Sequence, residues 1–319
     1  MPGIGVRSLP RDVFIYEGKG HSTLLGGLTL TTGITQADIY VMIEIFVAGL
    51  TEGYRIENDT GDRVPRDEEP LTKGNYHVVA ESPIWRCDTR VLLRTISRDT
   101  GPRLEDFRRL VRARDGGCVV TKRANAAASA GLWLEFAVAH IFPLAYEGEW
   151  NRNNYGRWIK DPQGSSTGGL INSVQNGLVL SRSIQAQFDC LNFSINPDVS
   201  TYQYRPWNFS SLSLSNIFYK DGFKIVCFSP DSFRIAGTRL DPEWLAKPDR
   251  PPDELFRWHF RQAVLCNVRG IGEPTFEHDF PLEGPDPLED IWAGPLAAER
   301  MEFELFSRFG AQMELSEGL

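Results

Sequence analysis

The chain has little of what would tie it to the extracellular space, a membrane or a zinc knuckle. Its five cysteines (Cys87, Cys118, Cys190, Cys227 and Cys266) are an odd set with no C-x-x-C spacing, which fits neither a disulfide framework nor a cysteine-ligated zinc site. No run reaches the roughly 18 consecutive apolar residues that a membrane span needs; the longest candidate, Ile39 to Leu50, is short and contains Glu44. The opening "MPGIGVRSLPRD" has no apolar leader core, so a reduced, cytoplasmic setting without membrane attachment is expected. Positive charge is also scarce: 34 Lys and Arg against 42 Asp and Glu leave a net charge of −8. That balance excludes a surface devoted throughout to phosphate and disfavours nucleic acid as a partner except through a local patch. Oligomeric state is open.

What is present suffices for one large or two modest cores, with 319 residues, 41% of them hydrophobic and 11% aromatic. The chain divides into two expected regions, 1–98 and 99–319, at the Gly-Pro of "SRDTGPR". In the first, "DVFIY" and "TLLGGLTLT" alternate like short strands. "TQADIYVMIEIFVAG" then reads as a helix with Thr35 as N-cap, Asp38 completing a capping-box pattern and Gly49 near its end. Thr60 to Asn75, rich in charge, Pro and Gly, reads as an exposed loop.

The second region opens on "RLEDFRRLVRARDGG", a periodic helix. Leu104, Phe107 and Leu110 or Val111 share one of its faces, and Gly116 and Gly117 end it. From Arg103 to Arg123 seven residues are basic and three acidic, the one positive stripe of an acidic chain. It is either a solvated outer face or a phosphate-facing one. Further on, "NGLVL" reads as a strand, "SRSIQAQFD" as a helix, and "NFSI" and "FKIVCFS" as strands. Two helices follow: Asp253 to Gly270, with Phe256, Phe260 and Val264 on one stripe, and Leu288 to Phe309, with Met301, Leu305 and Phe309 on another. His259 reads as a packed helix residue and His278 as part of a local hydrogen-bond network; His21 and His77 carry no pattern. "GSSTGG" lacks the Lys and the strand-to-helix context of a phosphate loop.

The stretch "AVAHIFPLAYEGEW" places His140 inside an otherwise apolar run, directly ahead of Ile-Phe-Pro, and "QNGLVL" follows some thirty-five residues later. This arrangement resembles the HNH endonuclease module, a ββα-metal fold that cuts phosphodiester bonds. "AHIFPLAYEGEWNRNNYGRWI", "INSVQNGLVL", "FSINPD", "RWHFRQAVLCNVRGIGEP", "FEHDFP" and "LGGLTLTTGIT" are similar to segments of a fungal group within it. The resemblance implies an α+β protein: an HNH-like ββα core embedded in a larger mixed α/β chain with C-terminal helices. It makes His140 the general base, a role that an intrinsic pKa near 6.5 suits, and Asn176 the residue that orients it.

The resemblance also shows where this chain departs from the family. Gln185 stands where the family carries a metal-binding His, and Ala137 stands where an acidic residue often precedes the base. Asp189, one helical turn after Gln185, and Glu135, on the strand face of Ala137 by period-2 alternation, are what remains for a divalent cation. An amide is a poor replacement for imidazole at a transition-metal site, and Mg²⁺ tolerates such a set best.

The expected function is therefore a repurposed HNH-fold enzyme, an isomerase or cyclase rather than a nuclease. It would act without metal or other cofactor on a small apolar metabolite, by proton transfer, isomerisation or a Diels-Alder-type cyclisation. His140 and Asn176 would be catalytic, and Phe142, Trp150, Tyr155, Trp158 and Gln185 would line the substrate pocket. The alternative is a metal-dependent HNH endonuclease cutting DNA with Asp189, Gln185 and Glu135 as an atypical ligand set around Mg²⁺ or another divalent ion. A third possibility is a catalytically silent binding protein.

Overall fold

The computed structural model describes residues 5–7, 11–18, 23–51, 53–92, 102–160, 170–198 and 222–275. The expected helix from Leu288 to Phe309, the "GSSTGG" loop, His21, His278 and most of the "SRDTGPR" boundary lie outside them.

The N-terminal region is built on a four-stranded sheet: β1 (Val13–Glu17), β2 (Thr23–Leu28), β3 (Arg55–Asn58) and β4 (Gly74–Val79), in the order β2-β1-β4-β3. β1 pairs antiparallel with β2 and parallel with β4, and β3 pairs antiparallel with β4. α1 (Gln36–Phe46) starts at the expected cap: the Asp38 N–H donates to Thr35 Oγ1, and the Asp38 carboxylate accepts the Thr35 N–H at 2.8 Å. The same carboxylate, 1% exposed, forms a buried ion pair with Lys224, so the residue that starts this helix also docks a strand far along the chain.

α2 (Pro102–Asp115) buries Leu104, Phe107 and Val111, the stripe that its periodicity marks, and Gly116 ends it at φ +66. β5 (Phe136–His140) and β6 (Gly177–Ser181) pair antiparallel with His140 opposite Gly177. α3 (Arg182–Asp189) leaves β6 directly, which completes the ββα unit. β7 (Phe193–Asn196) and β8 (Lys224–Cys227) form a further antiparallel pair.

Two hydrophobic cores share one helix, α4 (Asp253–Asn267). Its first turns (Leu255, Phe256, Trp258) belong to the core around the ββα unit. Its later ones (Phe260, Ala263, Val264, Leu265, Cys266) belong to the core beneath the N-terminal sheet. The expected single stripe is thus an underestimate. A helix bridging two cores is buried nearly all round, and even His259 is 4% exposed, with Nδ1 2.7 Å from Ser194 Oγ and its ring stacked on Phe188.

Gly177 has an ordinary extended backbone (φ −130), so its glycine is required by space rather than conformation. A Cβ there would lie 2.7 Å from Phe107 and Val111 of α2. Gly177→Ala is expected to destabilise the fold by about 1–3 kcal/mol through overpacking, and urea unfolding measures it directly. A change within about 0.5 kcal/mol, the size of a neutral surface substitution, would mean that α2 shifts freely.

Candidate functional site

His140 is held on three sides. β5 fixes its backbone opposite Gly177, and Phe107 from α2 stacks on its ring with centroids 4.1 Å apart and planes at 20°. Its Nε2 lies 2.9 Å from Asn172 Oδ1. An amide oxygen only accepts, so this contact favours the tautomer in which Nε2 is the donor.

Asn176 works one step back. Its side chain is fully buried and makes three hydrogen bonds, all to backbone: Nδ2 donates to Phe142 O (3.0 Å) and Ile171 O (2.8 Å), and Oδ1 accepts the Phe142 N–H (2.8 Å). The Asn176 carbonyl also accepts the Ile141 N–H at 2.9 Å. The expected direct orienter of the imidazole is therefore a clamp on the two residues after it. The contact to the ring belongs to Asn172, which the sequence reading missed because Asn172 lies in an irregular turn with no repeated pattern.

Two cavities flank His140. The larger, about 430 Å³, is a groove walled by α2, β5 and the start of α3, with Arg108, Arg112, Arg182, Glu105 and Gln185 beside His140. Arg108 and Arg112, one turn apart, present the same face. Arg108 pairs with Glu105, and Arg182 Nε donates to Leu134 O at 2.7 Å. Arg112 lies with its guanidinium 5.2 Å over the Trp133 ring, and among the described residues its Nε finds no hydrogen-bond partner. Burial first, and then the nearby Arg108 and Arg182 against an opposing Glu105, hold its pKa below the usual arginine value. Among the described residues three cations thus line one groove with a single carboxylate, and an anion would relieve that repulsion.

The smaller cavity, about 10 Å³ and so the size of one water, lies behind His140 and is lined also by Asp189, Phe188 and His259. Gln185 and Asp189, the two expected ligands from α3, therefore border different spaces. Glu135 borders neither: it is 63% exposed and pairs with Arg123. Among the described residues no three His, Cys, Asp or Glu side chains converge in a way that could hold a metal ion. The described donors do not form a transition-metal ligand set.

The expected apolar pocket is corrected as well. Phe142 and Trp150 are 0% and 1% exposed and sit in the core, their rings packed with Tyr155 and Trp258. Tyr155 stacks on Trp158 with centroids 4.4 Å apart. None of the four borders either cavity beside His140. Phe142 and Trp150 thus support the site from within the core, where aromatic faces pack on one another, while Tyr155 and Trp158 are half-buried beside them.

Among the described residues no helix is long and apolar enough to cross a membrane. Searches of curated proteins and of solved structures returned no match. Residues 10–85, which hold the N-terminal sheet and α1, match a family described as a domain of unknown function (DUF8573). Residues 118–196, which hold His140, Asn172, Asn176 and the whole ββα unit, match a family described as HNH endonuclease, so this part of the chain is similar to an HNH endonuclease domain.

Proposed function

We propose that the groove beside His140 binds the phosphate backbone of DNA and that the protein is a nuclease-type phosphodiesterase. The observation that carries this is the convergence of Arg108, Arg112 and Arg182 on the groove that His140 borders. His140 takes the proton of an attacking water as that oxygen bonds to phosphorus. The bond to the leaving sugar oxygen breaks with its electron pair, and solvent protonates that oxygen. The guanidinium groups neutralise the non-bridging phosphate oxygens as charge builds, the part that preorganised cations serve in phosphoryl chemistry. Phe107 and Asn172 hold the imidazole in one plane and one tautomer.

Duplex binding should fall with salt at a log–log slope of about −2.7, from three phosphate contacts at about −0.9 each, and Arg112→Ala should bring it near −1.8. Plasmid nicking, assayed in EDTA and with Mg²⁺, should be lost in His140→Ala while binding is kept. A slope near zero would overturn the proposal. Gln185 at the family's histidine position favours a second function, binding without cutting. Wild-type protein that binds with the expected slope but nicks nothing in any metal condition would establish that one.

A further inference from the structure

A tip tied to two arginines of the groove carries two exposed leucines. Leu132 is 54% exposed and Leu134 79%, on a three-residue tip that also holds Trp133. Isolated exposed leucines are ordinary. These two sit on a tip whose backbone is hydrogen-bonded on both sides. The tip follows a 3-10 turn (Ala128–Ala130) and Gly131 at φ +73, a left-handed conformation that suits glycine. The Leu132 N–H donates to Ala127 O at 3.2 Å, and Asn125 Nδ2 donates to Leu132 O at 2.8 Å. The far side of the tip is tied to the groove itself: Arg182 Nε bonds Leu134 O, and Arg112 covers a face of Trp133.

From this placement we infer that Leu132 and Leu134 form an apolar wedge that enters a DNA duplex next to the phosphates held by Arg112 and Arg182. The inference rests on the phosphate-binding function proposed above and names its substrate class: double-stranded DNA that is kinked where it is held. Three features select this occupant. The charge beside the tip is positive among the described residues, and Arg123 pairs with the carboxylate at its base, Glu135. Both side chains are aliphatic; such residues pry base steps apart, whereas single-strand platforms use open aromatic faces. Trp133 offers no such platform, since Arg112 lies over it and Phe136 meets it edge-on at 78°.

The test uses the full chain and a duplex of about 30 base pairs, short against the persistence length, with end dyes for energy transfer and 2-aminopurine reporters along one strand. Wild-type protein should bring the ends together as for a kink of about 20–90° and raise 2-aminopurine emission through unstacking. The double variant Leu132→Ala/Leu134→Ala, changed only at exposed side chains, should bind with the same salt slope and lose both signals. Wild-type binding with neither signal overturns the wedge and leaves the phosphate groove standing. Equal bending by the double variant also overturns it. Absence of any duplex binding by wild-type protein overturns the wedge together with the function beneath it.

Discussion

Asp115→Ala is expected to cost about 3–5 kcal/mol of folding stability, the range for removing one partner of a buried ion pair. Asp115 and Arg114 end α2 with side chains 0% and 1% exposed. They meet in a two-pronged contact, Nε to Oδ1 at 2.7 Å and Nη2 to Oδ2 at 3.0 Å. The carboxylate also accepts the Val179 N–H (2.7 Å) and Trp244 Nε1 (2.8 Å), while the guanidinium donates to the carbonyls of Val174, Gly177 and Asp249. One ion pair thus joins α2, β6, the turn before β6 and the segment leading to α4. Alanine leaves a buried guanidinium with only neutral partners and strands the Val179 N–H, a cost that solvent cannot relieve at this depth. Urea unfolding should show the loss at an unchanged denaturant slope. A loss below about 1 kcal/mol, the value of an exposed pair, would refute the hub. Under the proposed function the variant should also nick DNA poorly, because Gly177, whose carbonyl Arg114 holds, lies opposite His140.

Local signals survived translation into structure, and long-range ones did not. Thr35 and Asp38 announce α1 because a capping box is a contact across three residues, and Leu104, Phe107 and Val111 announce the buried face of α2 because helical periodicity is local. The parallel pairing of Val13–Glu17 with residues 74–78 depends on strands sixty residues apart and leaves no such mark. Charge counting treated Arg103 to Arg123 as one stripe. The helix separates it: Arg108 and Arg112 share a face, whereas Arg114, two residues on and about 200° round the axis, is buried on the other side. The same limit applies at the site. The sequence points to His140, and β5 does end on it, but the aromatic residues after it read as a pocket because a sequence shows how many rings there are, not which faces are covered. Asn172 carries no mark in the sequence, because the backbone turn that brings it to the imidazole is a tertiary feature.

Asn176→Ala and Asn172→Ala should part company, and their difference tests how the histidine is held. Asn176 satisfies Phe142 N, Phe142 O and Ile171 O from a fully buried position. Losing three buried hydrogen bonds at about 1 kcal/mol each, and leaving their backbone partners unpaired, should cost at least about 3 kcal/mol. Asn176→Asp should fare little better, since a carboxylate cannot donate to two carbonyls. Asn172 is half-buried and makes one contact to the ring, so its removal should cost under about 1 kcal/mol in stability. Cleavage, by contrast, should fall about tenfold or more in Asn172→Ala, as happens when the partner fixing a histidine's tautomer is removed. Unfolding curves and nicking rates on the same preparations separate the two roles. Equal stability losses would place both residues in the scaffold, and an Asn172→Ala variant as active as wild type would remove Asn172 from the site.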